Sequence, residues 1–201
     1  MSSQLAVVSG ASSGIGAATA RALAAEGWRV VLVARGRPGL EVVHQSITAG
    51  GGAAELAALD AADGGQVLAL AEHLRRELGS PSLVVNSAGL GAWKFLEETS
   101  PEETAAMLAA PYLAASNLSH AFLPDMLERR AGLLLHVGSP ASRLPWPGAT
   151  SYTAARWALR GLHEALCQDR RRTGLRSCRG GFGEVSSPYF EHNRVARDQL
   201  P

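Results

Sequence analysis

The chain has 201 residues, of which 46% are hydrophobic and 18% charged, and its formal net charge is +1. These values describe one globular domain spanning residues 1–201, long enough to bury a sheet between two layers of helices. Near-neutral charge supplies no long-range field, so nucleic acid is excluded as a partner, and Arg170, Arg171 and Arg172 read as a solvated helix face.

Leu5–Val8 is a short apolar run and predicts the first strand. It leads through Ser9-Gly10-Ala11-Ser12-Ser13-Gly14-Ile15-Gly16 into a helix predicted over Ile15–Glu26, with Ala18, Ala22 and Ala25 along one side and Gly27 as its stop. The glycines therefore fall on a strand-to-helix turn. A dinucleotide pyrophosphate needs backbone N–H groups aimed at it from a helix start, and side chains at the closest positions would block it. Gly10, Gly14 and Gly16, with Ser12, Ser13 and Ile15 between them, are the predicted cofactor-binding turn.

The second strand, Arg29–Ala34, ends at Arg35, where such folds meet the adenosine ribose. An acidic residue there would accept from the ribose hydroxyls of NAD, whereas arginine pairs with a 2′-phosphate, so Arg35 points to NADP(H). Arg37 and Ser12 or Ser13 are placed to assist. Further apolar runs at Leu56–Leu59, Leu83–Val85 and Leu133–Val137 alternate with helical segments, which predicts a doubly wound parallel sheet in three layers. Leu175–Gly181 stands where a sixth strand is due but has few β-formers and two glycines, which predicts a poorly formed element.

Cys167 and Cys178 have neither CxxC spacing nor a disulfide framework. The six histidines, His44, His73, His120, His136, His163 and His192, show no ligand spacing on one helix or turn, and no metal is predicted. The N-terminal run is too short for a signal-peptide core and no segment reaches membrane-spanning length, so a soluble, cytoplasmic protein is expected.

Three further motifs are in register with the glycine turn: Asp60 after the third strand, Asn86-Ser87-Ala88-Gly89 after the fourth, and Ser139 at the end of the fifth, with Tyr152 thirteen positions later. Together they resemble the short-chain dehydrogenase/reductase family, from Leu5 to about Phe190. The resemblance implies a Rossmann-type fold, Asp60 near the adenine ring, and Asn86, Ala88 and Gly89 in the cofactor site. Its chemistry asks for a proton donor beside the substrate oxygen while hydride passes to or from nicotinamide, and Tyr152 is the candidate. Ser139 would hydrogen-bond the same oxygen.

The chain departs from the family at several places. Where the family has a lysine four residues after the tyrosine, Tyr152-Thr153-Ala154-Ala155-Arg156 carries arginine, which keeps the charge and can still bind ribose but effectively never gives up its proton. Ser87 stands for an asparagine. Thirteen residues before Pro124, where the family has another asparagine, stands Pro111, which keeps a carbonyl and enforces a helix distortion. Asn117, about two turns on, is too far along to substitute. Phe182-Gly183 replaces Pro-Gly ahead of the segment Glu184–Phe190, which in the family contacts nicotinamide and substrate.

The sequence ends at Pro201, where the family adds a seventh strand and closing helices, so a sheet lacking them, with an open edge, is expected. The function implied is an NADP(H)-dependent oxidoreductase interconverting a carbonyl and a secondary alcohol. Its substrate is a small molecule, with Trp93, Trp146, Tyr189 and Phe190 as candidates for an apolar wall. The competing reading is a catalytically impaired or inactive NADP-binding or scaffold protein, a truncated isoform. By resemblance, the helices around Pro111–Arg130 and Ser151–Arg172 would pair copies into a homodimer or homotetramer.

Overall fold

β1 (Leu5–Ser9) is buried at every position, as a strand covered on both faces must be. In the computed structural model, which describes residues 4–183 and 185–192, it lies at the middle of a six-stranded sheet. The other strands are β2 (Arg29–Ala34), β3 (Ala53–Ala58), β4 (Leu83–Asn86), β5 (Gly132–Gly138) and β6 (Leu175–Gly181). Their order is β3-β2-β1-β4-β5-β6, and every pair is parallel. The order reverses between β1 and β4, which opens a crevice at the carboxyl ends of the strands.

Alternation along β1 divides its side chains between two cores. Ala6 and Val8 join α1 (Gly14–Ala25) and α2 (Arg37–Ala49) through Ala17, Ala20, Leu40 and Val43. Leu5 and Val7 face the opposite layer, where α3 (Gly64–Glu77) and α5 (Ala114–Glu128) supply Val67, Leu74, Leu118, Phe122 and Met126. α6 (Thr150–Asp169) extends that layer through Leu166. Each such apolar side chain contributes about 1.5–3 kcal/mol when fully buried.

The predicted strands are present, with two corrections. β3 begins at Ala53, three residues before the predicted Leu56, because Ala53, Ala54 and Glu55 pair in register with Arg29, Val30 and Val31 of β2. β6 is a full strand paired with β5 over seven positions, from Gly132↔Leu175 to Gly138↔Gly181. Pairing with β5 overrides its poor composition. α1 turns Gly16, Ala17, Ala20 and Ala24 inward, while Ala18, Ala22 and Ala25 face solvent.

Between α4 (Pro101–Leu108) and α5 the helix widens into a π turn over Ala109–Leu113, with Pro111 buried within it. A proline cannot donate to the preceding turn, and the wider turn absorbs the missing bond. The distortion predicted at Pro111 is therefore present. α4 itself starts on a capping box: Glu103 N–H donates to Ser100 Oγ at 3.1 Å, and Ser100 N–H donates to Glu103 Oε2 at 3.0 Å.

Candidate active site

The crevice holds a cavity of about 730 Å³, lined at one end by the glycine turn with Arg35 and Asp60, and at the other by Ser139, Tyr152 and Arg156. Gly10 and Gly14 have φ of +68° and +53°, values that favour glycine. A side chain on Gly10 would lie 2.8 Å from Ser87 and Ala88 backbone atoms, and one on Gly16 would collide with the Gly10 carbonyl. These glycines therefore allow β1, the helix start and the turn after β4 to meet. Ser12, Ser13, Gly14, Ile15 and Gly16 all line the cavity, with Ser13 as the N-cap of α1. That is the geometry for seating a phosphate on a helix start.

Ser9, which sequence reasoning passed over, fastens the two loops together. Its hydroxyl accepts from the backbone N–H of Ser87 at 3.2 Å and of Ala88 at 3.3 Å, and donates to the Val85 carbonyl at 3.4 Å. Asp60 lines the cavity and accepts from the Ala62 N–H at 2.9 Å. Asn117 holds the same turn by donating to the carbonyls of Ala61 (3.1 Å) and Ala62 (2.9 Å), so it is engaged away from Pro111.

Arg35 is exposed at the end of β2, lines the cavity and makes no salt bridge among the described residues. Arg37 does not line the cavity and pairs instead with Glu41, one turn along α2, at 2.9 Å. Ser87, Ala88 and Gly89 line the cavity, but Asn86 does not. The buried Asn86 side chain faces His136 of β5, its Nδ2 3.2 Å from His136 Nδ1, and fixes the turn from beneath. Burial, and then the nearby His163, press His136 down to about 4, so it is neutral and accepts this bond.

Ser139 closes β5 and caps a short turn, accepting from the Ala141 N–H at 3.2 Å. The loop is held from behind by Ser142, whose hydroxyl donates to the Ser139 carbonyl at 2.7 Å while Arg179 Nη1 donates to it at 3.0 Å. Arg160 adds a bond to the Ser142 carbonyl at 3.0 Å. β6 and α6 thus both fasten the Ser139 loop.

Tyr152 lies in the first turn of α6 and Arg156 one turn on, so they share a face. The Arg156 guanidinium lies over the Tyr152 ring, 4.8 Å from its centroid, and donates through Nη2 to the Tyr189 hydroxyl at 3.3 Å. Burial pulls against its charge, but Tyr152 and Tyr189 outweigh that penalty and hold Arg156 above its ordinary value. Gly89 makes room for it: a Cβ there would lie 2.7 Å from Arg156 Nη2. Trp93 packs against Tyr152 with ring centroids 4.8 Å apart, and Trp146 stacks on Trp93 at 6.4 Å.

Beyond β6, Phe182, Gly183, Val185, Ser187 and Tyr189 return to the cavity wall, and Ser187 approaches Gly14 across the opening. Glu184 lies outside the described residues, as do the side chains of Phe190 and His192. Among the described residues there is no His, Cys, Asp or Glu group fit to hold a metal, and no helix is long and apolar enough to cross a membrane.

A glycine turn on a helix start, a serine closing the fifth strand and a tyrosine on the next helix thus face one crevice of a Rossmann-type fold. The family model for short chain dehydrogenases matches residues 4–194, and the chain belongs to that family. It is 32% identical over 189 residues to a short chain dehydrogenase of Pseudocercospora fijiensis, covering 90% of this chain and 60% of that one. Among solved structures, a metagenomic short-chain oxidoreductase in complex with NADP superposes with a TM-score of 0.86 at 36% identity, covering 92% of this chain and 84% of that one. A short-chain dehydrogenase/reductase of Burkholderia phymatum in complex with NAD gives a TM-score of 0.91 at 27% identity, covering 99% and 72%.

Proposed function

We propose that the protein is an NADP(H)-dependent oxidoreductase that interconverts a carbonyl compound and a secondary alcohol. The observation that carries this reading is that the glycine turn, Arg35, Ser139, Tyr152 and Arg156 all open onto one cavity. The dinucleotide fits the residues present: Gly10 and Gly16 leave space that a Cβ would fill, and Arg35 offers a cation without a carboxylate partner among the described residues. Arg35 supports the 2′-phosphate form by the pairing of guanidinium with phosphate. The bound nicotinamide would supply the hydride chemistry.

The residues of the chain do the rest. Tyr152 gives or takes the proton at the substrate oxygen, Ser139 orients that oxygen by hydrogen bonding, and Arg156 stabilises negative charge on the Tyr152 oxygen. Leu90, Trp93, Trp146 and Tyr189 pack around Tyr152, which favours an apolar substrate. Exposed Leu113 in the π turn and Trp157 on α6 suit pairing of two copies through these helices in a cytoplasmic homodimer or homotetramer.

Thermal unfolding with NADPH and with NADH tests the cofactor site, because a ligand at a hundred times its Kd adds about 2.7 kcal/mol of stability. NADPH is expected to raise the Tm by several degrees, and Arg35→Glu to abolish its advantage over NADH. Equal responses to the two nucleotides would refute the selectivity, and no response to either would refute the oxidoreductase reading. A second reading, a cofactor-binding protein with impaired turnover, draws support from Arg156 lying sealed between two tyrosines. NADPH binding without reduction of any carbonyl, restored by Arg156→Lys, would decide for it.

A further inference from the structure

Arg179 of β6 pairs with His136 in the β5–β6 ladder, and its side chain runs on toward the Ser139 loop. It passes close over Gly138, where a Cβ would lie 2.9 Å from Arg179 Nη1 and 3.2 Å from its Cγ, so a glycine just before Ser139 leaves that path open. Its Nη1 then donates to the Ser142 hydroxyl at 3.0 Å. Among the described residues Arg179 makes no salt bridge, and it does not line the cavity. Neither a carboxylate partner nor a place in the cavity wall therefore accounts for a half-buried guanidinium here.

The chemistry of these groups fixes the direction of each bond. A guanidinium only donates, so the Ser142 hydroxyl accepts from Arg179 and gives its single proton to the Ser139 carbonyl, at 2.7 Å. That carbonyl also accepts from the Ser142 N–H at 3.0 Å, which fills both of its lone pairs. On the cavity side, Ser139 Oγ accepts from the Ala141 N–H at 3.2 Å and keeps its own O–H to give. Both serines are buried.

We propose that Arg179 is a positioning residue for the reaction: through Ser142 it locks the carbonyl of Ser139, and with it the direction in which the Ser139 hydroxyl is offered to the substrate oxygen. This rests on the oxidoreductase reading above. Without the guanidinium, the Ser142 O–H is free to turn away from the Ser139 carbonyl, and the turn that carries Ser139 loosens. A group that orients a reacting oxygen tolerates little of this, since a displacement of about 1 Å costs about a hundredfold in rate. Arg160 on α6 still holds the Ser142 carbonyl at 3.0 Å, so losing Arg179 slackens the loop without releasing it.

The test measures NADPH-dependent reduction of apolar ketones, benzil first, by the parent chain, Arg179→Met, Ser142→Ala and the double variant. Each single change is expected to lower kcat by about tenfold while the KM for the ketone stays within about twofold and stabilisation by NADPH is kept. Because the two residues act in series, the double variant should lose less than about twofold beyond the worse single one. Losses that multiply, a fall in NADPH stabilisation that accompanies the fall in kcat, or no loss in the single variants would overturn the proposal. Ser142→Ala removes one oxygen only, so if Arg179→Met does not fold, an unchanged kcat in Ser142→Ala overturns it alone.

A second readout needs no turnover. The urea midpoints of the same four proteins should be non-additive, with the double variant close to the less stable single one. Additive midpoints would show Arg179 and Ser142 unlinked and overturn the proposal whatever the rates. A parent chain that binds NADPH but turns over no carbonyl or alcohol defeats the oxidoreductase reading and the role of Arg179 with it. Midpoints that remain non-additive distinguish that failure from failure of the link.

Discussion

Gly89→Ala isolates what Arg156 contributes. Gly89 does not have a positive φ, so alanine brings no backbone strain, and its methyl carbon would lie 2.7 Å from Arg156 Nη2 and 3.5 Å from Cζ and Nη1. Ordinary contact requires the guanidinium to retreat by several tenths of an ångström from its place 4.8 Å over the Tyr152 ring. Overpacking of this kind costs about 1–3 kcal/mol. Because a shift of about 1 Å at a reacting group costs about a hundredfold in rate, turnover should fall by about tenfold or more.

The same change in an Arg156→Lys background removes the collision, since lysine lacks the terminal fork, and both penalties should largely vanish. Urea unfolding of the four proteins gives the coupling energy, and kcat/KM gives its counterpart in the reaction. Additivity of the two substitutions within about 0.5 kcal/mol would refute the reasoning, because it would mean that Gly89 does not act through Arg156.

Two further substitutions test the scaffold beneath the site. Ser9→Ala leaves the half-buried N–H groups of Ser87 and Ala88 without their acceptor and should cost about 1 kcal/mol in urea unfolding while weakening stabilisation by NADPH. His136 titrates at about 4 in the folded protein against 6.5 for an ordinary histidine. The unfolded chain therefore binds the proton first, and the stability this group contributes is complete above pH 6.5 and lost as pH falls toward 4. Unfolding free energy should drop by about 2 kcal/mol from this group between pH 6.5 and 5, and His136→Leu should flatten that dependence. An unchanged slope would show that His136 is solvated.

Legibility followed the range of the interactions involved. β1, β2, β4 and β5 are apolar runs whose burial is written into their own residues, and the glycine turn is legible because each glycine answers a local need of a strand-to-helix turn. β6 was not legible. Arg176, Ser177, Cys178 and Arg179 are extended because β5 pairs with them, and that partner lies over forty residues earlier. α1 shows a different limit: a helix of small residues has little hydrophobic contrast, so the spacing set Ala18, Ala22 and Ala25 on one side without telling that this side faces solvent.

Within the site, the serine, tyrosine and arginine were readable from their spacing. The contacts of Ser9 with the turn after β4, of Gly89 with Arg156 and of Tyr189 with Arg156 were not. Each joins segments thirty or more residues apart, and nothing in either segment alone signals its partner. Pro111 is the intermediate case, since proline announces a distorted helix but not the wider π turn that accommodates it.

β6 hydrogen-bonds to a single neighbour among the described residues, through the seven-position ladder with β5. Its amides therefore stand, like those of β3, at an edge of the described sheet, where opening short of global unfolding is expected. Val185, Ser187 and Tyr189 follow within eight residues of its end and reach the cavity wall only while it is seated. A ligand that touches them should hold β6 against that opening, so slowed amide exchange along Leu175–Gly181 would report occupancy from a strand none of whose residues lines the cavity.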